Sequence, residues 1–127
     1  MADLIMGFDF GTSKIGVAIG QKLTASANPI GKCSARDGKP DWSQLDRIVH
    51  EWQPSLFVVG LPLNMDDSKN DITRAAERFA RRLHGRYEIP FEMMDERLST
   101  FEATQNQTKD VDATAACLIL ETWLSQV

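Results

Sequence analysis

The spacing of hydrophobic positions changes several times along the chain, and each change marks an element. Apolar runs at 4–10 and 15–19 flank Gly11-Thr12-Ser13-Lys14, a hairpin signal with glycine where a tight turn tolerates positive φ. A third strand is expected at 25–35, with Pro29 pointing to a sheet edge, followed by a loop at 36–40. Asp41 is a good N-cap for a helix over 42–52, where Leu45, Ile48, Val49 and Trp52 recur at i, i+3, i+4 and i+7, and Pro54 ends it. The continuous run 56–60 has the pattern of a parallel strand buried on both faces. A polar loop after Leu61-Pro62-Leu63-Asn64 leads to a helix over 71–85. That helix buries Ile72, Ala75, Ala76, Phe79 and Leu83 and turns Arg74, Arg78, Arg81 and Arg82 outward. A fifth strand at 90–94 ends in Asp95-Glu96-Arg97, and a last helix covers 111–124.

The order β-β-β-α-β-α-β-α predicts a single α/β domain over 1–127, with a mixed five-stranded sheet, antiparallel first and parallel later, flanked by helices. Ligands of such sheets gather outside the carboxyl ends of the strands. Asp9, Asn64 and Glu96 all stand at those ends, and Asp9 and Glu96 converge if their strands are parallel neighbours.

Asp9 sits inside an apolar run, between Phe8 and Phe10. An ionised carboxylate moved from water into a strand core costs several kcal/mol unless paired, so Asp9 calls for a cation. Capping of turn amides is the alternative. Asp112 shares a helical stripe with Ala116, Ile119 and Trp123 and so points toward the sheet, while Asp110 is better placed as N-cap. Three carboxylates, Asp9, Glu96 and Asp112, form a hard oxygen set suited to Mg²⁺ or Mn²⁺. Two such ions roughly 3.5–4 Å apart would activate water and stabilise the leaving oxygen of a phosphodiester.

Composition narrows the classes. With 127 residues, 43% hydrophobic and 25% charged, the chain reads as soluble and globular. No run approaches the ~20 apolar residues of a membrane span, the N-terminus lacks signal-peptide character, and a cytoplasmic address is expected. Cys33 and Cys117 lack zinc or redox spacing and read as reduced core thiols, and His50 and His84 as surface residues. The net charge of −4 hides a segregation: 69–86 carries six Lys and Arg against Asp71 and Glu77, leaving −8 for the rest. A polyanion backbone is the partner such a basic helix would hold, and a solvated helix face is the alternative.

Phe8-Asp-Phe-Gly-Thr-Ser-Lys-Ile-Gly-Val-Ala-Ile-Gly20, Val58-Val-Gly-Leu-Pro-Leu-Asn-Met-Asp66, Asp95-Glu-Arg-Leu-Ser-Thr100 and Val111-Asp-Ala-Thr-Ala-Ala116 together resemble the bacterial YqgF/RuvX family over nearly the whole chain. The resemblance implies an RNase H-like fold with strand order 3-2-1-4-5 and strands 1–3 antiparallel. It also implies kinship with Holliday-junction resolvases and a part in maturing the 5′ end of pre-16S ribosomal RNA. The expected function is a metal-dependent nuclease, monomeric or weakly dimeric, acting on pre-rRNA in or near ribosomal particles or on branched DNA. Its acidic site maps to Asp9, Glu96 and Asp112, with Asp95 competing with Glu96 because strand neighbours face opposite ways. Lys14, Asn64, Arg74, Arg78, Arg81 and Arg97 are the candidate nucleic-acid contacts.

Two positions depart from the family pattern. Asp67 stands where the family usually has Gly, and the connection 100–112 is much shorter than usual, lacking the longer helix and Gly/Lys-rich loop. Two rival classes share these residues. An actin-like nucleotide-binding module also uses D-x-G-T before a hairpin, but such proteins close two domains over the ligand; a P-loop is excluded because Gly16 is followed by Val17. A catalytically idle RNA-binding assembly factor could keep all three acids for structure.

Overall fold

The computed structural model describes residues 3–98 and 111–127, apart from the side chains of 98, 111 and 112. β1 (Leu4–Asp9), β2 (Lys14–Gln21) and β3 (Ser26–Arg36) form an antiparallel meander. β5 (Leu56–Leu61) then pairs parallel with the other side of β1, and β6 (Phe91–Asp95) parallel with β5. A two-residue strand, β4 (Lys39–Pro40), pairs with Ala35 and Arg36, so the sheet has six strands in the order β4-β3-β2-β1-β5-β6.

Without β4 this is the expected five-strand order. The loop expected at 36–40 is instead a tight hairpin, because Asp37 (φ 52°) and Gly38 (φ 80°) both adopt the left-handed conformation that two-residue reversals require. Asp-Gly is the sequence signal for such a turn. Pro29 lies on the open edge of β3, beyond the reach of β4, next to an irregularity opposite Val17 and Ala18 where Gly31 takes φ 138°. Gly11 does not use the positive φ that glycine tolerates. A Cβ there would lie 2.5 Å from the Lys14 carbonyl oxygen, so glycine is needed for close backbone approach.

The period-2 alternation of the central strands divides the core in two. Met6, Phe8, Ile15, Val17, Phe57 and Val59 face α1 (Trp42–Trp52) and α2 (Asp71–Tyr87). Ile5, Ala18, Val58 and Met94 face α3 (Val111–Ser125) on the other side. The Asp41 carboxylate caps α1 by accepting from the Gln44 amide. Asn70 and Thr73 form a reciprocal capping box at the start of α2, and the buried Thr73 hydroxyl also donates to the Pro62 carbonyl. The buried stripe of α2 is rotated slightly from expectation: Thr73, Ala76, Phe79, Ala80 and Leu83 are buried, while Ile72 and Ala75 are partly covered. Phe79 stacks edge-on to Phe8, with ring centroids 5.4 Å apart, which anchors α2 over β1.

α3 is apolar almost all round and lies directly on the sheet. Leu120 and Leu124 sit over Gly20, beside Ile5 in register, and Ala116 and Leu120 sit over Gly7. The helix therefore runs antiparallel to β1, with its N-terminal turn at the Asp9 end. A Cβ on Gly7 would lie 3.0 Å from Leu120 Cβ and 3.3 Å from the Ala116 carbonyl oxygen, neither of which a rotamer change can move. Gly7→Ala should therefore destabilise the fold by about 1–3 kcal/mol, the usual range for overpacking, as a drop in the urea midpoint at unchanged slope. An unshifted midpoint would mean that α3 is not seated against β1 in this way.

Candidate active site

Strand parity decides which acids meet. In β1, Asp9 shares the α3 face with Ile5 and Gly7. In β6, Glu92 accepts a hydrogen bond from Trp123 Nε1 of α3 at 3.2 Å, and Met94 packs on the same helix. Glu96, next in that alternation, opens a 3₁₀ turn (Glu96–Leu98) directly after the strand. Asp95 belongs to the opposite face.

β5 lies between β1 and β6, with Phe8 opposite Val59 and Gly60 opposite Met94. The Glu96 side chain folds back over Gly60: a Cβ built there would meet Glu96 Oε1 at 2.6 Å and Glu96 Cγ at 2.9 Å. Glu96 in its protonated form donates to the Asp9 carboxylate. Burial, that hydrogen bond and the negative charges of Asp9 and Asp95 push the Glu96 carboxyl up to about 8 from an ordinary 4.5. The pair thus holds a proton where two bare carboxylates would repel.

Asp95 is occupied otherwise. Arg97 grips it through Nε at 3.0 Å and a terminal nitrogen at 2.7 Å, which holds the Asp95 carboxyl below the usual range. The same guanidinium donates to the Asn64 carbonyl at 3.0 Å and pairs with Asp67 at 2.6 Å, tying the β5–α2 loop to the turn that carries Glu96. Asp67, the departure from family glycine, has φ 71°. Aspartate tolerates this left-handed conformation better than most residues, and its ion pair with Arg97 adds a contact that glycine cannot make. The Asn64 amide is engaged inside the loop, donating to Ser68 Oγ and accepting from Asn70 Nδ2, both at 2.9 Å.

The expected third acid, Asp112, stands by its backbone in the first turn of α3, at the end of the helix that lies toward Asp9. Its side chain lies outside the described residues, as do the N-cap expected at Asp110 and most of the short 100–112 connection. Among the described residues no group of three or more His, Cys, Asp or Glu side chains could hold a metal ion. Asp9 and Glu96 supply two hard oxygen donors.

The cations are distributed on both faces. Lys14 starts β2 on the Asp9 face, two residues before Gly16, the cross-strand partner of Asp9. The exposed Arg74, Arg78, Arg81 and Arg82 lie on α2, across the sheet from Asp9 and Glu96. Arg74 is 3.6 Å from Asp71, Lys69 pairs with Glu77 at 2.8 Å, and Arg86 is drawn to Asp46 of α1 at 2.7 Å. Among the described residues, the cations of 69–86 left without a carboxylate nearby therefore narrow to the middle turns of α2. Cys33 and Cys117 are buried free thiols, and His50 and His84 are exposed. Sequence reasoning missed Gly60 and Thr73; the signals were a glycine ending an apolar strand and a threonine three residues after an N-cap asparagine.

A family model described as RuvX, Holliday junction resolvase, matches residues 3–126. A relative from Proteus mirabilis (strain HI4320), 49% identical over 96% of this chain and 95% of its own length, bears the name "Putative pre-16S rRNA nuclease". So does one from Edwardsiella ictaluri (strain 93-146), 50% identical over 94% of this chain and 92% of its own. Among solved structures, Thermus thermophilus RuvC in complex with a Holliday junction substrate superposes with TM-score 0.58 at 10% identity, covering 98% of this chain and 94% of that one. The fowlpox virus Holliday junction resolvase gives 0.57 at 12% identity, covering 98% and 99%. These two share the fold.

The raised Glu96 carboxyl has a consequence for stability. Glu96 holds its proton more tightly in the folded protein than in the unfolded chain, so its contribution is complete below about pH 4.5 and is lost as pH rises toward about 8. In buffer with a chelator, denaturation of wild type and Glu96→Gln across this window should show wild type losing stability relative to the variant, whose amide imitates the protonated acid. Parallel profiles would mean that Glu96 does not share a proton with Asp9.

Proposed function

The chain belongs to the RuvX family, and on that premise we propose that it is a ribosomal RNA maturation nuclease of resolvase ancestry, cutting near the 5′ end of pre-16S rRNA with Mg²⁺ or Mn²⁺ at Asp9, Glu96 and Asp112. The observation that carries this reading is the Asp9–Glu96 pair, two carboxylates aimed at each other on the α3 face beyond the carboxyl ends of parallel strands. A site that brings two carboxylates together on one face of the sheet is short of positive charge. A divalent cation meets that demand more fully than a proton, and an all-oxygen donor set suits Mg²⁺ or Mn²⁺. When bound, such ions activate water and neutralise charge on the phosphodiester being cut.

The chain's own residues hold and orient. Arg97 fixes the backbone after Asp95, and with it the turn from which Glu96 reaches across the sheet. Asp9 is held by the β1–β2 ladder opposite Gly16. The arginines of α2 lie across the sheet from the acids, so a substrate that engages both must pass over the carboxyl edge, above the β5–α2 loop. A long, structured polyanion can do this, held by its phosphates with little regard to base identity.

A labelled pre-16S fragment incubated with wild type should be cut in Mg²⁺ or Mn²⁺ and left intact in chelator. Asp9→Asn should lose roughly 100-fold or more, the scale of several kcal/mol of lost transition-state stabilisation. An active Asp9→Asn protein would reject the reading, and faster cutting of a four-way DNA junction would move the natural substrate to branched DNA.

Changing Arg74, Arg78 and Arg81 together to Gln should weaken binding similarly for unrelated sequences. It should also flatten the dependence of log K on log salt by roughly 0.7–0.9 for each phosphate that an arginine no longer neutralises. An unchanged slope would make that helix a solvated surface.

A further inference from the structure

We propose that Gly60 is a positioning residue of the acidic site: its missing side chain is the opening through which the Glu96 carboxylate crosses β5 to reach Asp9. Neighbouring strands lie about 4.8 Å apart, which puts β1 and β6 roughly 10 Å from each other with β5 between them. A short acid on β1 and an acid beyond β6 can meet only if the longer one lies flat across the middle strand. Glu96 does so, and Gly60 is the residue beneath it.

The neighbours of Gly60 distinguish this role from ordinary helix packing. At Gly7 a Cβ would strike a backbone oxygen and a Cβ of α3. At Gly60 it would strike Glu96 Oε1 at 2.6 Å, Glu96 Cγ at 2.9 Å and Ile119 Cδ1 at 2.7 Å, all side-chain atoms that rotation can carry away. The backbone of Gly60 is not in the left-handed region, so an alanine meets no φ strain there. The fold can therefore accept a methyl group at 60, but only by shifting the tip of Ile119 and moving the carboxylate that the site needs.

This inference rests on the nuclease reading for its consequence in catalysis, though not for its geometry. Gly60→Ala and Gly60→Ala/Ile119→Val test it, the second relieving the Ile119 contact and leaving the one to Glu96. Crystal structures in chelator should show the Glu96 carboxylate turned away from Asp9 in both variants. Calorimetry with Mn²⁺ should show a 10- to 100-fold loss of affinity in both, the scale seen when groups that orient metal ligands are altered. Melting should fall slightly in the single variant, which must shift Ile119, and recover in the double.

Glu96 unmoved, or Mn²⁺ affinity unchanged, in a folded Gly60→Ala protein would overturn the proposal. So would recovery of Mn²⁺ affinity in the double variant, which would make Ile119 packing the whole reason for the glycine, or failure of both variants to fold. Should wild type itself bind no Mn²⁺, the metal reading falls, while the position of Glu96 in the variant crystals still decides the role of Gly60.

Discussion

Two carboxylates held on one face of a sheet repel each other, and much of this structure serves to keep Asp9 and Glu96 together against that repulsion. The parallel pairing of β1 with β5 and of β5 with β6 brings their ends level. The glycine between them gives room, and partial burial of Glu96 raises the demand for a proton or another cation. Holding two acids together opposes folding locally, and strained electrostatics of this kind cluster at functional sites.

The residues around that pair divide the labour by strand face. On the α3 face, small residues let an apolar helix lie close to the sheet, and its first turn comes to the same end as the acids. On the other face, Asp95 and Arg97 form an ion pair that reaches over the edge to Asn64, Met65 and Asp67. An exposed ion pair contributes little alone, but one guanidinium satisfying two carboxylates and two backbone carbonyls is a network, and it joins the β5–α2 loop to the turn holding Glu96. The capping box at Asn70 and the Thr73 hydroxyl fix the other end of that loop.

The sheet separates the acids from the arginines, which under the proposed function would set how a nucleic acid is held. Acid chemistry and phosphate binding on one surface would repel or attract the same groups of the substrate at close range. Under the proposed function, acids and arginines set on opposite faces and joined over the carboxyl edge would act on different stretches of backbone. The net charge of −4 is compatible with this arrangement because the positive field is local to α2 and screened within about 10 Å.

Local pattern alone was enough for most of the fold. Periodicity, caps and breakers located the long elements to within a residue or two, because burial of one face imposes its period on each strand and helix. It erred where backbone geometry mattered more than polarity, since Asp37-Gly38 makes a hairpin, and it did not reveal that a nearby carbonyl oxygen requires Gly11. The acids Asp9 and Glu96 could be named from chain position, since charged groups at the ends of apolar strands stand out. Their convergence was expected on condition that their strands were neighbours; β5 in fact lies between them, so how the two acids meet depends on that third strand and on what it lacks at Gly60. The choice between Asp95 and Glu96, and the transfer of Arg86 from the basic run to Asp46, were likewise decided by which face and which neighbour the completed sheet supplied. A one-dimensional pattern records which face a residue prefers, and only the packed sheet determines what waits for it there.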